Sequence, residues 1–96
     1  MSWYLYVVRT VTGSLYTGIA VDVRRRYQEH MAGGHKAAKF LRANPPKELV
    51  FKRRIGNRSL ALKVEHRFKQ LTKRSKEVIV RTGKLRFNRE SGEIEQ

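Results

Sequence analysis

Two aromatic and β-branched runs stand close together near the start of the chain: Trp3-Tyr-Leu-Tyr-Val-Val-Arg-Thr10 and Leu15-Tyr-Thr-Gly-Ile19. That composition belongs to strands, and the short Val11-Thr12-Gly13-Ser14 link makes a hairpin of them. On the first strand Leu5 and Val7 project to one face, and Tyr4, Tyr6 and Val8 to the other. The turn length then decides where Tyr16 goes. A two-residue loop at Thr12-Gly13 pairs Tyr16 with Arg9 and leaves it on the face opposite Tyr6. A three-residue loop, Val11-Thr12-Gly13, ends on glycine, where a left-handed residue and a bulge are expected. Thr10 then pairs with Ser14, Val8 with Tyr16 and Tyr6 with Gly18, and both tyrosines share a face. The glycine position favours the second register.

Beyond the hairpin, Asp22 is a fitting N-cap for a helix over about residues 23–32 that stops at Gly33-Gly34. Val23, Tyr27 and Met31 make its expected buried stripe, with Arg26 and His30 stacked on the adjacent one. Lys36–Ala43 reads as a short basic helix ended by Asn44-Pro45-Pro46. Glu48–Ile55 reads as a third strand, with Leu49, Phe51 and Arg53 on one face against Val50, Lys52 and Arg54. Asn57 or Ser59 caps the longest helix, about 58–73, whose Ala61, Val64, Phe68 and Leu71 have core spacing. Ser75–Val80 suits another short helix, with a strand as the alternative. The fold class is therefore α+β: a small three-stranded, mainly antiparallel sheet flanked by helices. One domain over residues 1–85 is expected, followed by a tail, 86–96, that shows no periodicity and is expected to be flexible.

Charge narrows the partner. The 96 residues carry 22 Lys+Arg against 8 Asp+Glu, a net charge of +14, and Glu90, Glu93 and Glu95 all lie in the last seven positions. Self-repulsion of that size opposes compaction, and a polyanion relieves it, so nucleic acid is the expected partner and affinity should depend on ionic strength. Absence of cysteine excludes disulfides and thiolate metal sites. No leader-like segment opens the sequence, and no apolar run approaches the roughly 20 residues of a membrane helix. A cytoplasmic protein without membrane contact is the expectation.

Taken singly, the polar residues have bland readings. Tyrosines on a hairpin serve packing, Arg24-Arg25-Arg26 is a solvated or phosphate-touching face, and His30 is a surface histidine. Glu65, beside Ala61 and Phe68 on its helix, wants a cation or hydrogen-bond partner, which any nearby Lys or Arg satisfies. Their order is more telling. Tyr4-Leu5-Tyr6, Tyr16-Thr17-Gly18, Arg26 ten residues after Tyr16, His30 four beyond that, and Glu65 on a later helix together resemble the catalytic module of the GIY-YIG nucleases, in particular its small single-domain bacterial branch. The first triplet keeps the final tyrosine of the motif and the second keeps its outer two positions. Ile19 stands where some branches have a lysine. His35 resembles a loop histidine of the homing-endonuclease branch, and Asn88 resembles an asparagine that many members have after the last helix.

The resemblance implies an endonuclease that hydrolyses phosphodiester bonds of DNA with low sequence specificity, in repair or recombination, using a single divalent cation, Mg²⁺ or Mn²⁺, held by Glu65. A hard site of one carboxylate, waters and a phosphate oxygen suits those ions. Arg26 would grip the scissile phosphate, Tyr6 would take the proton of the attacking water with its pKa depressed by surrounding cations, and Tyr16 and His30 would position the phosphate and support proton transfer. Arg24, Arg25, Lys36, Lys39, Arg42, Lys52 and Arg54 are candidate phosphate contacts without sequence information. RNA is the alternative substrate, and a targeting protein partner is left open. Two other classes compete: a non-catalytic basic adaptor for DNA or RNA on the same fold, and a ribosome-linked structural protein.

Overall fold

Gly13 adopts φ +88°, and the hairpin closes in the three-residue register: Thr10 N–H donates to the Ser14 carbonyl, Val8 pairs with Tyr16, and Tyr6 pairs with Gly18. The computed structural model describes residues 1–96, in the order β1 (Trp3–Thr10), β2 (Leu15–Ala20), α1 (Val23–Ala32), α2 (Lys39–Ala43), β3 (Pro46–Gly56), α3 (Arg58–Lys69) and α4 (Lys73–Thr82). The three strands form one antiparallel sheet ordered β2-β1-β3. The α+β class is as the sequence implies.

Pleating splits the core in two. Leu5 and Val7 face Ala61, Val64 and Phe68 of α3, together with Phe51, Ile55 and Leu85. Tyr6 and Val8 face the other way, onto Val23 of α1 and Leu41 of α2. Phe68 is fully buried, which contributes about 1.5–3 kcal/mol relative to an exposed ring. Further groups fasten α4 to the hairpin. Arg9 grips Glu77 with two parallel hydrogen bonds of 2.9 and 2.7 Å, and Lys73 reaches the Gly13 carbonyl at the turn. That fork holds Glu77 below the usual carboxylate range.

Several expectations change. The buried stripe of α1 is Val23 and His30 with Tyr27 partly covered, while Met31 is 53% exposed. The imidazole sits in the core because the chain after α1 folds back over it, as described below. On β3, Leu49 and Phe51 lie on opposite faces, because Val7 pairs with Phe51 and Val8 with Leu49. Val50 is the extra residue of a bulge, and it reverses the alternation. The basic segment before β3 forms helix only from Lys39, one short turn-and-a-half. The long helix ends at Lys69, short of the expected 73, and the segment Ser75–Val80 is helical, within α4, not a strand. Asn57 caps α3 by accepting from Leu60 N–H, and Thr72 starts α4 by accepting from Ser75 N–H. Within residues 86–96 the chain makes a turn: Asn88 accepts from the N–H groups of Glu90 and Ser91, and Phe87 bridges Ile94 against the α3 core.

Candidate active site

Directly opposite Tyr6 on the neighbouring strand is a residue without a side chain, and the phenol occupies that space. A Cβ placed on Gly18 would lie 2.5 Å from the Tyr6 hydroxyl oxygen and 2.6 Å from Cζ. The ring therefore crosses β2, the edge strand, and is 1% exposed. Tyr16, two residues earlier on β2, sits diagonally on the same face, with ring centroids 6.4 Å apart.

His30 completes the cluster from α1. Its Nε2 is 2.8 Å from the Tyr6 hydroxyl oxygen, and its ring meets that of Tyr16 edge-on at 5.5 Å. The other ring nitrogen decides the tautomer. Nδ1 accepts from the Ala38 backbone N–H at 3.2 Å, and an amide can only donate. In the neutral ring the proton therefore sits on Nε2, which donates to the tyrosine oxygen. Burial, and next the Arg26 charge, lower the imidazole pKa to about 4, so this tautomer prevails at neutral pH.

The sign of the resulting pH dependence follows. The folded value lies below the ordinary 6.5, so the unfolded chain binds the proton more readily and stability falls as pH drops from about 6.5 to 4. The loss should approach roughly 3 kcal/mol. His30→Gln keeps a donor toward Tyr6 and cannot titrate. Thermal melts between pH 4 and 7 should show the wild type losing stability relative to this variant. Parallel curves would exclude the buried neutral imidazole.

Arg26, one turn before His30, is held in place by Glu29 at 2.9 Å and by the Lys36 carbonyl at 2.6 Å. Glu29 gave no sequence signal of its own, being one acid in a basic run. Tyr6 departs from expectation. Its pKa is raised well above that of a free phenol, first by burial, then by Tyr16, and Arg26 only partly offsets this. The cations expected to depress it lose to desolvation, since an anion in a covered pocket forfeits its hydration.

Glu65 comes from the other side of the sheet. Its neighbours Val64 and Phe68 pack under Leu5 and Val7, and α3 runs against β2. Even so, the carboxylate is near enough for its charge to push the Tyr6 pKa further up. On the phenol's side, the missing side chain of Gly18 leaves the space that the Tyr6 hydroxyl fills. Glu65 is half-buried and paired only with exposed Lys69, at 3.4 Å. No cluster of three or more ligating side chains exists. One displaceably paired carboxylate fits Mg²⁺ or Mn²⁺, which bind through one or two carboxylates and fill the remaining positions with water and phosphate oxygen.

The basic candidates distribute around the tyrosine face. Lys52 pairs with Tyr6 and Arg54 with Tyr4 across the β1–β3 ladder, so both project on that face. Arg53 alternates away and donates to the Leu85 carbonyl instead. Arg24 and Arg25 are exposed on α1, and Lys36, Lys39 and Arg42 are exposed on and before α2. His35 is exposed in the loop after α1, and Asn88 is engaged in the tail's own turn. Phe40 went unremarked in the sequence. It is 43% exposed and stacks on Tyr16.

Comparison with known proteins identifies the family. The family model described as the GIY-YIG catalytic domain matches residues 2–78. The UPF0213 protein YhbQ of Escherichia coli K12 is 54% identical over 81 residues, covering 84% of this chain and 79% of YhbQ. Its counterpart in Salmonella typhimurium LT2 is 54% identical over 78 residues, covering 81% of this chain and 76% of its own. The solution structure of the UPF0213 protein BH0048 from Bacillus halodurans superposes with a TM-score of 0.54 at 35% identity, covering 85% of each chain. No helix is long and apolar enough to cross a membrane.

Proposed function

Because the chain belongs to the GIY-YIG catalytic-domain family, a family of nucleases, we propose that it is a divalent-metal-dependent endonuclease that hydrolyses DNA with low sequence specificity. DNA repair or recombination is the setting that suits such an activity. One observation carries this reading: Tyr6, Tyr16, His30 and Arg26 converge on one face, within electrostatic reach of Glu65, a carboxylate that, unlike Glu29, no arginine engages. A pure binding surface has no use for that carboxylate beside a buried phenol.

Arg26 exchanges its Lys36 and Glu29 contacts for a non-bridging oxygen of the scissile phosphate and balances charge that develops there. Tyr6 acts in its anionic form, its own proton having passed to bulk water. It takes the proton of the attacking water and releases it to solvent afterwards, and the departing oxygen takes its proton from water. The Tyr6 anion is favoured by the His30 Nε2–H donor and by Arg26, both already oriented. Neutral His30 acts as a donor and orienting group and does not supply an imidazolium proton. Tyr16 borders the phosphate position. Glu65 would hold a divalent cation, which would supply positive charge toward the phosphate and the water and favour the Tyr6 anion.

The test is cleavage of branched, single-stranded and duplex DNA in Mg²⁺ or Mn²⁺ and in EDTA, with matched RNA as competitor. Wild type should cut in metal only. Tyr6→Phe should cut about 10² to 10⁴ times more slowly. Metal-independent binding with no product on any substrate would leave the adaptor reading in place of this one.

A further inference from the structure

Phe40 is an aromatic ring that the hydrolytic chemistry does not require, yet it stands at the site. Phe51 and Phe68 are buried in the core, whereas 43% of Phe40 is open to solvent. Its ring lies 18° from parallel to that of Tyr16, with centroids 6.2 Å apart. Two hydrogen bonds tie the same segment to the cluster: Arg26 to the Lys36 carbonyl, and Ala38 N–H to His30 Nδ1. Exposed Lys36, Lys39 and Arg42 surround it in sequence. A partly exposed aromatic ring beside a run of cations is the chemistry by which proteins hold single strands, with bases stacked on rings and phosphates on the cations. In a duplex each base face is already covered by its neighbours and only the edges are presented. A flat ring at the site therefore favours a base that has left the stack.

We propose that Phe40, backed by Tyr16, is a stacking platform for an unpaired base adjoining the cut phosphodiester, so that single-stranded or frayed DNA is bound in preference to intact duplex. The cleavage part of this statement rests on the nuclease reading above, and the binding part does not.

The experiment measures fluorescence anisotropy of a labelled 12-nucleotide oligothymidylate and of a matched duplex, in EDTA, so that no strand is cut. Full-length wild type, Phe40→Ala and Phe40→Tyr are compared, and thermal melts confirm that each is folded. Single strands should bind wild type more tightly than duplex. Phe40→Ala should weaken single-strand binding by about tenfold or more and leave duplex binding unchanged, and Phe40→Tyr should restore it. Equal losses on both probes, no loss, or no rescue by tyrosine would overturn the platform. Base-dependent binding without any cleavage in Mg²⁺ would retain the platform and remove the nuclease reading. Cleavage with Phe40-independent binding would do the reverse.

Discussion

Glu65→Ala is expected to remove metal-dependent cleavage, by about 10³-fold or more in kcat, while the protein folds and binds DNA as before. The loss corresponds to several kcal/mol of transition-state stabilisation, the scale on which a bound cation acts at a phosphoryl oxygen. Stability should barely move. The only ion pair broken is with Lys69, whose side chain is 52% exposed, and pairs of that kind contribute about 0.2–1 kcal/mol. Removing a negative charge from a face that binds a polyanion should hold DNA affinity steady or raise it. The informative measurement is a Mg²⁺ titration of single-turnover cleavage alongside anisotropy and melting. A variant that cuts at the wild-type rate would end the assignment of Glu65 as metal ligand. Lys69→Ala serves as the counterpart: it frees the carboxylate and should leave cleavage intact or lower the Mg²⁺ needed.

The second large effect is expected at a residue that carries no charge. Gly18→Ala inserts a methyl 2.5 Å from the Tyr6 hydroxyl oxygen and 2.6 Å from Cζ, closer than such atoms can approach. Tyr6 has nowhere to retreat, because it is 1% exposed and tied to His30. Overpacking of this sort costs roughly 1–3 kcal/mol of stability. The phenol must shift by an ångström-scale distance, and misplacement on that scale costs about 10² in rate. Denaturant midpoints and cleavage rates should therefore both fall. Gly34→Ala is the control, since nothing lies within 4 Å of a Cβ there and its φ is not positive. Wild-type activity in Gly18→Ala would mean that the Tyr6 position is not critical.

Local chemistry made much of this legible. Gly13 announced a left-handed turn residue, and that one residue placed Tyr6 and Tyr16 on the same face. Asp22 and Asn57 announced helix starts because their short side chains accept backbone N–H groups. Spacing from Tyr6 to Glu65 was sufficient for the family, which the match over residues 2–78 bears out. Other features had no local signal. The Val50 bulge interrupts an alternation that otherwise looks regular, and His30 resembles any polar residue beside an amphipathic stripe. Phe40 looked like one more apolar residue in a short basic helix.

Much that depended on neighbours in sequence could thus be read from the chain: the faces of β1, the turn register, the caps at Asp22 and Asn57, the α+β class and the nuclease family. Everything that depended on segments distant in sequence was decided by packing. The Ala38 amide selects the His30 tautomer, desolvation overrides nearby cations to raise the Tyr6 pKa, and the packing of α3 on the sheet brings the Glu65 charge within reach of the phenol. The division has a physical origin. Backbone preferences act over a few residues, whereas dielectric burial and long-range hydrogen bonds exist only once the two faces of the sheet have been covered.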